Sequence, residues 1–129
     1  MATITEDYVS FETAKLLRDK GFDEICYLGY NKNGEYVPTS NRTNSQIIQP
    51  DFCFICCPTL QMAMKWLREV YNIHVVPKFD FYAGDYTGRI YDGRRESTVE
   101  KDDYIAIVGN STYEQACEEA IKYSLEHLI

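Results

Sequence analysis

Histidine is scarce here, with two copies, and tryptophan occurs once. Acid–base catalysis draws on histidine more than on any other side chain, so most such schemes have little to work with. Basic residues are outnumbered: 13 Lys and Arg stand against 20 Asp and Glu, a formal net charge of −7. Grip on nucleic acid or an anionic membrane needs clustered Lys and Arg, so direct binding to either is excluded as an expectation. No segment approaches the roughly 18–20 apolar residues of a membrane-spanning helix. The opening MATITEDYVSFETAKLL has no basic stretch followed by an apolar one, as a secretory leader would. Seven glycines and four prolines in 129 residues leave no room for a collagen-like repeat.

What is present describes an ordinary folded chain. Apolar residues make up 45% and charged residues 26%, the balance of a globular domain rather than a disordered one. The length favours one compact domain over residues 1–129, large enough to fold without metal or disulfide staples. Five cysteines (Cys26, Cys53, Cys56, Cys57 and Cys117), an odd number without framework spacing, point to a reducing cytoplasm. The sequons at Asn41 and Asn110 are then coincidences. The acidic balance itself reads as solubility. Its sharper alternative is an acidic inhibitor that mimics nucleic acid on a nucleic-acid enzyme, although the charges alternate in sign and form no acidic run.

Three stretches share a helix-start pattern: Ser10–Ala14, Thr59–Ala63 and Thr112–Ala116. Each has a hydroxyl residue first, an apolar or aromatic residue second, Glu or Gln third and Ala fifth. The hydroxyl accepts a bond from a first-turn amide, and the acid or amide suits the positive end of the helix dipole. Ser111 and Glu114 also have capping-box spacing. The expected helices run from about Phe11 to Lys20 with Gly21 as the stop, Leu60 to Tyr71, and Tyr113 to Leu128. The second carries Ala63, Trp66, Leu67 and Val70 on its apolar side. Asn33-Gly34 predicts a two-residue type I′ turn, with Lys32 opposite Glu35 and Tyr30 opposite Val37. Residues 40–50 read as a loop. Further strands are expected over Phe52–Cys57, Ile73–Tyr82, Tyr86–Tyr91 and Tyr104–Val108, with a turn at Ala83–Asp85 and a charged loop over Asp92–Asp102. The fold class is therefore α+β, in the order α-β-β-β-α-β-β-β-α, with a mostly antiparallel sheet and helices packed on one face.

The chemistry-bearing candidates each have a plainer explanation. Cys53 and Cys56 are three apart in a strand-like run, so they point to opposite faces and cannot hold one ion. Cys26, Cys117, His74 and His127 match no ligand spacing, and no metal is expected. Cys57 lies just before a helix start, where a thiol pKa can fall; small buried apolar residues are the plainer account of it. It remains the residue on which a small thiol-dependent enzyme or redox sensor would depend, with His74 as the only mid-chain base. Gly84–Gly88 lacks the Lys-Ser/Thr of a phosphate loop. Asp80 and Asp85 flank a turn without a histidine. Arg89, Arg94, Arg95 and Lys101 are interleaved with Glu96, Glu100, Asp102 and Asp103, as in a solvated loop. No catalytic, cofactor or metal site is expected.

Tyrosine is abundant at eleven copies, with Tyr27, Tyr30 and Tyr36 on the first hairpin and Tyr82, Tyr86 and Tyr91 around the second. Strands favour aromatic residues, but tyrosine also anchors interfaces at low entropic cost. The residues suit a non-enzymatic module acting on a protein partner or as a homodimer, through an open sheet edge or an aromatic surface. Finally, Tyr8–Leu17 with Lys20–Asp23, Pro58–Val70 with Asn72–His74, and Thr112–Ala116 resemble a family of small uncharacterised α/β proteins encoded by gut bacteria and their phages or mobile elements. The resemblance covers the three helices and their flanks, and brings no catalytic residues with it. It implies an accessory protein, phage-related, in a bacterial cytoplasm.

Overall fold

A computed structural model describes residues 4–47, 54–94 and 106–129. The chain is α+β: α1 (Phe11–Asp19), β1 (Cys26–Tyr30), β2 (Tyr36–Arg42), a 3-10 turn (Asn44–Ile47), β3 (Ile55–Cys56), α2 (Leu60–Tyr71), β4 (Ile73–Asp80), β5 (Asp85–Asp92), β6 (Ala106–Ser111) and α3 (Tyr113–His127). The expected order of helices and strands is present, and every pairing is antiparallel. The strands are shared between two three-stranded sheets, β2-β1-β3 and β4-β5-β6. Each sheet lies in its own compact unit, residues 1–60 and 61–129.

In the first unit, the Ser10 side chain accepts the Thr13 amide and so caps α1. The helix closes at Gly21, whose φ of 97° only glycine adopts without strain. Ala14, Leu17 and Phe22 are buried along its inner side. The β1–β2 turn differs from expectation by one residue. Only Gly34 among the turn residues has positive φ, whereas a type I′ turn needs it at Asn33 as well. Asn31 decides the matter: its Oδ1 accepts the amides of Asn33 (2.9 Å) and Glu35 (3.0 Å) and holds a three-residue loop that ends on Gly34. Tyr30 therefore pairs with Tyr36, not Val37. The stretch after residue 40 is not all loop either, since β2 runs on to Arg42 and the 3-10 turn follows. β2 can hold Pro38 because it is an outer strand, where a missing N–H breaks no ladder. It bulges between Pro38 and Arg42, where Asn41 takes φ 60°.

In the second unit, α2 occupies the expected span, with Ala63, Met64, Trp66 and Leu67 buried. Val70 is 56% exposed, so the apolar stripe stops a turn short of its expected end. Asn72 breaks the helix at φ 55°, and β4 begins directly after it. β4 ends at Asp80, two residues before the expected Tyr82, because the Asp80 Oδ1 accepts the amides of Tyr82 (2.9 Å) and Ala83 (3.2 Å) and turns the chain. Gly84, at φ 73°, completes a four-residue loop between paired Asp80 and Asp85. α3 packs across all three strands. Its approach is close because Gly88 on the central strand faces Ala116 and Ala120: a Cβ at Gly88 would stand 2.7 Å from the Ala116 carbonyl. The capping box of α3 is Thr112 with Gln115, not Ser111 with Glu114. Ile73, Ile90, Ile121 and Leu125 form the buried apolar centre of this unit.

Candidate functional site

The Cys26 thiol of β1 donates to the Glu24 carbonyl at 3.7 Å and also hydrogen-bonds the neighbouring Cys56 thiol of β3. That bond, with burial behind it, pushes Cys26 far above the ordinary thiol range. The same bond lowers Cys56 against the opposing pull of burial. Cys56 also lies 3.3 Å from the Arg42 carbonyl. Cys57 is 1% exposed, and its Sγ donates to the Val9 carbonyl at 3.4 Å. A thiol turned into the protein in this way presents nothing to a substrate. Burial raises the Cys117 thiol to about 11. Cys53 lies outside the described residues. Among the described residues no group of three His, Cys, Asp or Glu is placed to hold a metal ion.

The other polar candidates have local partners. His74 lies 2.7 Å through Nε2 from Asn72 Oδ1, and His127 packs beside the Tyr123 ring at 4.6 Å. Asp80 is consumed by its turn. Arg94 pairs with Asp92 at 2.9 Å and donates to the Leu128 carbonyl at 2.7 Å, fastening the end of β5 to the end of α3. Arg95, Glu96, Glu100, Lys101, Asp102 and Asp103 lie outside the described residues.

On the first hairpin Tyr27 and Tyr36 are exposed, at 72% and 58%, and one ring is buried. Tyr30 is 5% exposed; its hydroxyl donates to the Val9 carbonyl at 2.7 Å, and its ring stacks on Tyr36 at 4.9 Å. Phe11 of α1 covers it edge-on at 5.4 Å. On the second hairpin the rings face outward. Phe81 is 83% exposed and Tyr82 is 99% exposed at the turn itself, and Phe79, half exposed, stands on the strand leading to it. Alternation along Ile73–Tyr82 places Phe81 on a strand face; the turn set by Asp80 puts it at the tip. An Asx residue and a glycine four apart, bracketing two aromatic residues, is the signal that could have found it.

From that tip an aromatic row runs back along the sheet. Phe79 meets Tyr86 at 5.1 Å, and Tyr86 meets Tyr113 edge-on at 5.5 Å. The Gln61 side chain donates to the Tyr113 hydroxyl at 3.0 Å and fixes that ring. Beside the row, Asp85 and Tyr86 of β5 and the first turn of α3 border an open recess of about 610 Å³. The Asp85 Oδ1 is out of reach of water and has no hydrogen-bond partner. No helix among the described residues is long and apolar enough to cross a membrane. Comparison with protein-family models, curated proteins and solved structures found no match to this chain.

Proposed function

We propose that this chain is a non-enzymatic binding module that engages another protein through its β4–β5 turn. The observation that carries the reading is the pair Phe81 and Tyr82, which protrude almost fully into solvent on a turn that Asp80 and Gly84 hold in shape. Burying a large apolar side chain stabilises by about 1.5–3 kcal/mol, so two rings seated in a partner's pocket supply much of the free energy of a micromolar complex. A turn fixed by its own hydrogen bonds loses little entropy on docking. Side-chain docking also fits the sheet edges better than strand addition does. Two of the four outer strands, β2 and β4, carry a proline, Pro38 and Pro77, which interrupts the row of donors an added strand would use; of the other two, β3 is two residues long and β6 carries no proline. In keeping with the resemblance noted above, the setting we propose is a bacterial cytoplasm, with the chain as a phage- or mobile-element-type accessory protein.

The test is affinity purification of the tagged chain from native or phage-infected cells, beside the Phe81→Ser/Tyr82→Ser variant. A specific protein retained by the parent and lost by the variant supports the reading; a second copy of the chain in that role makes the module self-associating. Equal recovery with both chains, or no partner together with monomeric elution, overturns it.

A further inference from the structure

We propose that the Asn33-Gly34 pair in the β1–β2 turn is a site of self-modification, at which the Asn33 side chain is converted through a succinimide to aspartate and isoaspartate. The only co-reactant is water. The Gly34 main-chain nitrogen, once it gives up its proton, attacks the Asn33 Cγ. A bond from that nitrogen to Cγ forms, the Cγ–Nδ2 bond breaks, and the departing nitrogen takes up protons and leaves as ammonia. Water then opens the five-membered ring at either carbonyl. One cleavage restores the ordinary peptide bond with aspartate in place of asparagine. The other routes the main chain through the side-chain carbon and leaves isoaspartate. One water is consumed and one ammonia released, and no electrons are transferred.

Three observations single out Asn33. Of the chain's asparagines it alone precedes a glycine, which has no side chain to hinder the approach of its own nitrogen. Its side chain is exposed and makes no hydrogen bond among the described residues, since the turn engages only its main-chain amide. Other asparagine side chains are occupied: Asn44 bonds the Phe22 carbonyl and the Cys56 amide, and Asn72 lies 2.7 Å from His74. Finally, the turn is held by Asn31, whose Oδ1 takes the amides of Asn33 and Glu35. The Asn33 side chain can therefore swing toward the Gly34 nitrogen without releasing either bond.

One contact opposes the reaction. The Gly34 amide donates to the Asn31 carbonyl at 3.0 Å, and this bond must open before the nitrogen can attack. The net worth of one such bond on a surface turn is small, so it slows the conversion by about tenfold at most. The two products differ in consequence. Both add a negative charge to a chain that already carries −7. Aspartate keeps the backbone and with it the turn. Isoaspartate adds one carbon to the main chain of a tight loop packed against Phe11, and so loosens it. The chemistry stands whether or not the second hairpin binds a partner.

The test is incubation of the intact folded chain at neutral and at mildly alkaline pH, beside a blocked peptide spanning Tyr30–Val37. Mass spectrometry of the whole chain and of its proteolytic peptides follows the exchange of an NH group for oxygen. Conversion confined to Asn33, faster at the higher pH, with isoaspartate among the products and a rate within about tenfold of the peptide's, supports the proposal. Asn33→Gln, whose longer side chain closes a less favourable six-membered ring, abolishes the conversion. A rate more than about tenfold below the peptide's overturns the proposal, as does equal conversion at another asparagine or an unchanged mass gain in Asn33→Gln.

Discussion

The two hairpins use the same local device and put it to opposite ends. Each opens on an Asx residue, Asn31 or Asp80, whose side-chain oxygen gathers two amides of the turn, and each closes on a left-handed glycine, Gly34 or Gly84. The surroundings then diverge. A Cβ at Gly34 would lie 3.6 Å from the Phe11 ring, because α1 covers that turn; one at Gly84 would meet nothing within 4 Å. Accordingly, the first hairpin spends Tyr30 on the core of its own unit, and the second leaves Phe81 and Tyr82 in solvent. A turn's sequence sets its shape, and whether a helix covers it decides what its aromatic residues are free to do.

The contrast can be broken or sharpened by mutation. The largest effect is expected where a central strand meets a helix. Gly88→Val places atoms against the Ala116 carbonyl and the Ala120 Cβ, backbone and rigid side chain that cannot yield cheaply. A loss of about 3 kcal/mol in chemical denaturation is expected, and a loss under 1 would show that α3 does not pack as described. Next comes the cover itself. Phe11→Ala removes the ring above Tyr30 and Gly34 and should cost about 2 kcal/mol, whereas Phe81→Ser should change stability by less than about 0.5. Similar costs at the two positions would erase the distinction between covered and open turns.

A smaller effect is expected at Tyr30. Removing its hydroxyl in Tyr30→Phe leaves the Val9 carbonyl without that donor and should cost about 1 kcal/mol by thermal or urea unfolding. The smallest concerns pH. The Asp23 carboxylate accepts the Ser45 amide at 2.7 Å and the Ser45 hydroxyl at 2.8 Å, which holds it below its ordinary pKa. A folded pKa below the unfolded one gives stability that is present above about pH 4 and lost as pH falls through the folded value. On an exposed group this is a few tenths of a kcal/mol, so Asp23→Asn should flatten acid unfolding slightly and leave stability at pH 7 lower by that amount.

Helix bounds were legible because caps are local: Ser10 and Thr112 announce their helices within four residues, and Gly21 closes the first. Turn register was less so. Asn33-Gly34 carries the stronger dipeptide signal, yet the Asn31 side chain, two residues earlier, wins by bonding two amides at once. The division of six strands into two sheets leaves no mark on alternation, since each strand reads the same whichever neighbour it pairs with. The meeting of Cys26 and Cys56 was hidden for a related reason, being a contact between strands far apart in sequence. Of the candidate site, the abundance of tyrosine was visible, but not which rings face out. Tyr30 and Tyr82 look equally amphipathic in a string of letters, and only the helix over one and the bare turn under the other separate them.

The most direct measurement is the dissociation constant of the captured partner for two paired variants, Tyr27→Ser/Tyr36→Ser on the first hairpin and Phe81→Ser/Tyr82→Ser on the second. All four residues are exposed, but Tyr36 also stacks on Tyr30, so the affinity of the first variant is read beside its urea unfolding curve. A weakening of at least about tenfold in the second variant, with less than about threefold in the first, is the expected result. Equal affinities for parent and second variant, or a loss confined to the first, would contradict the account.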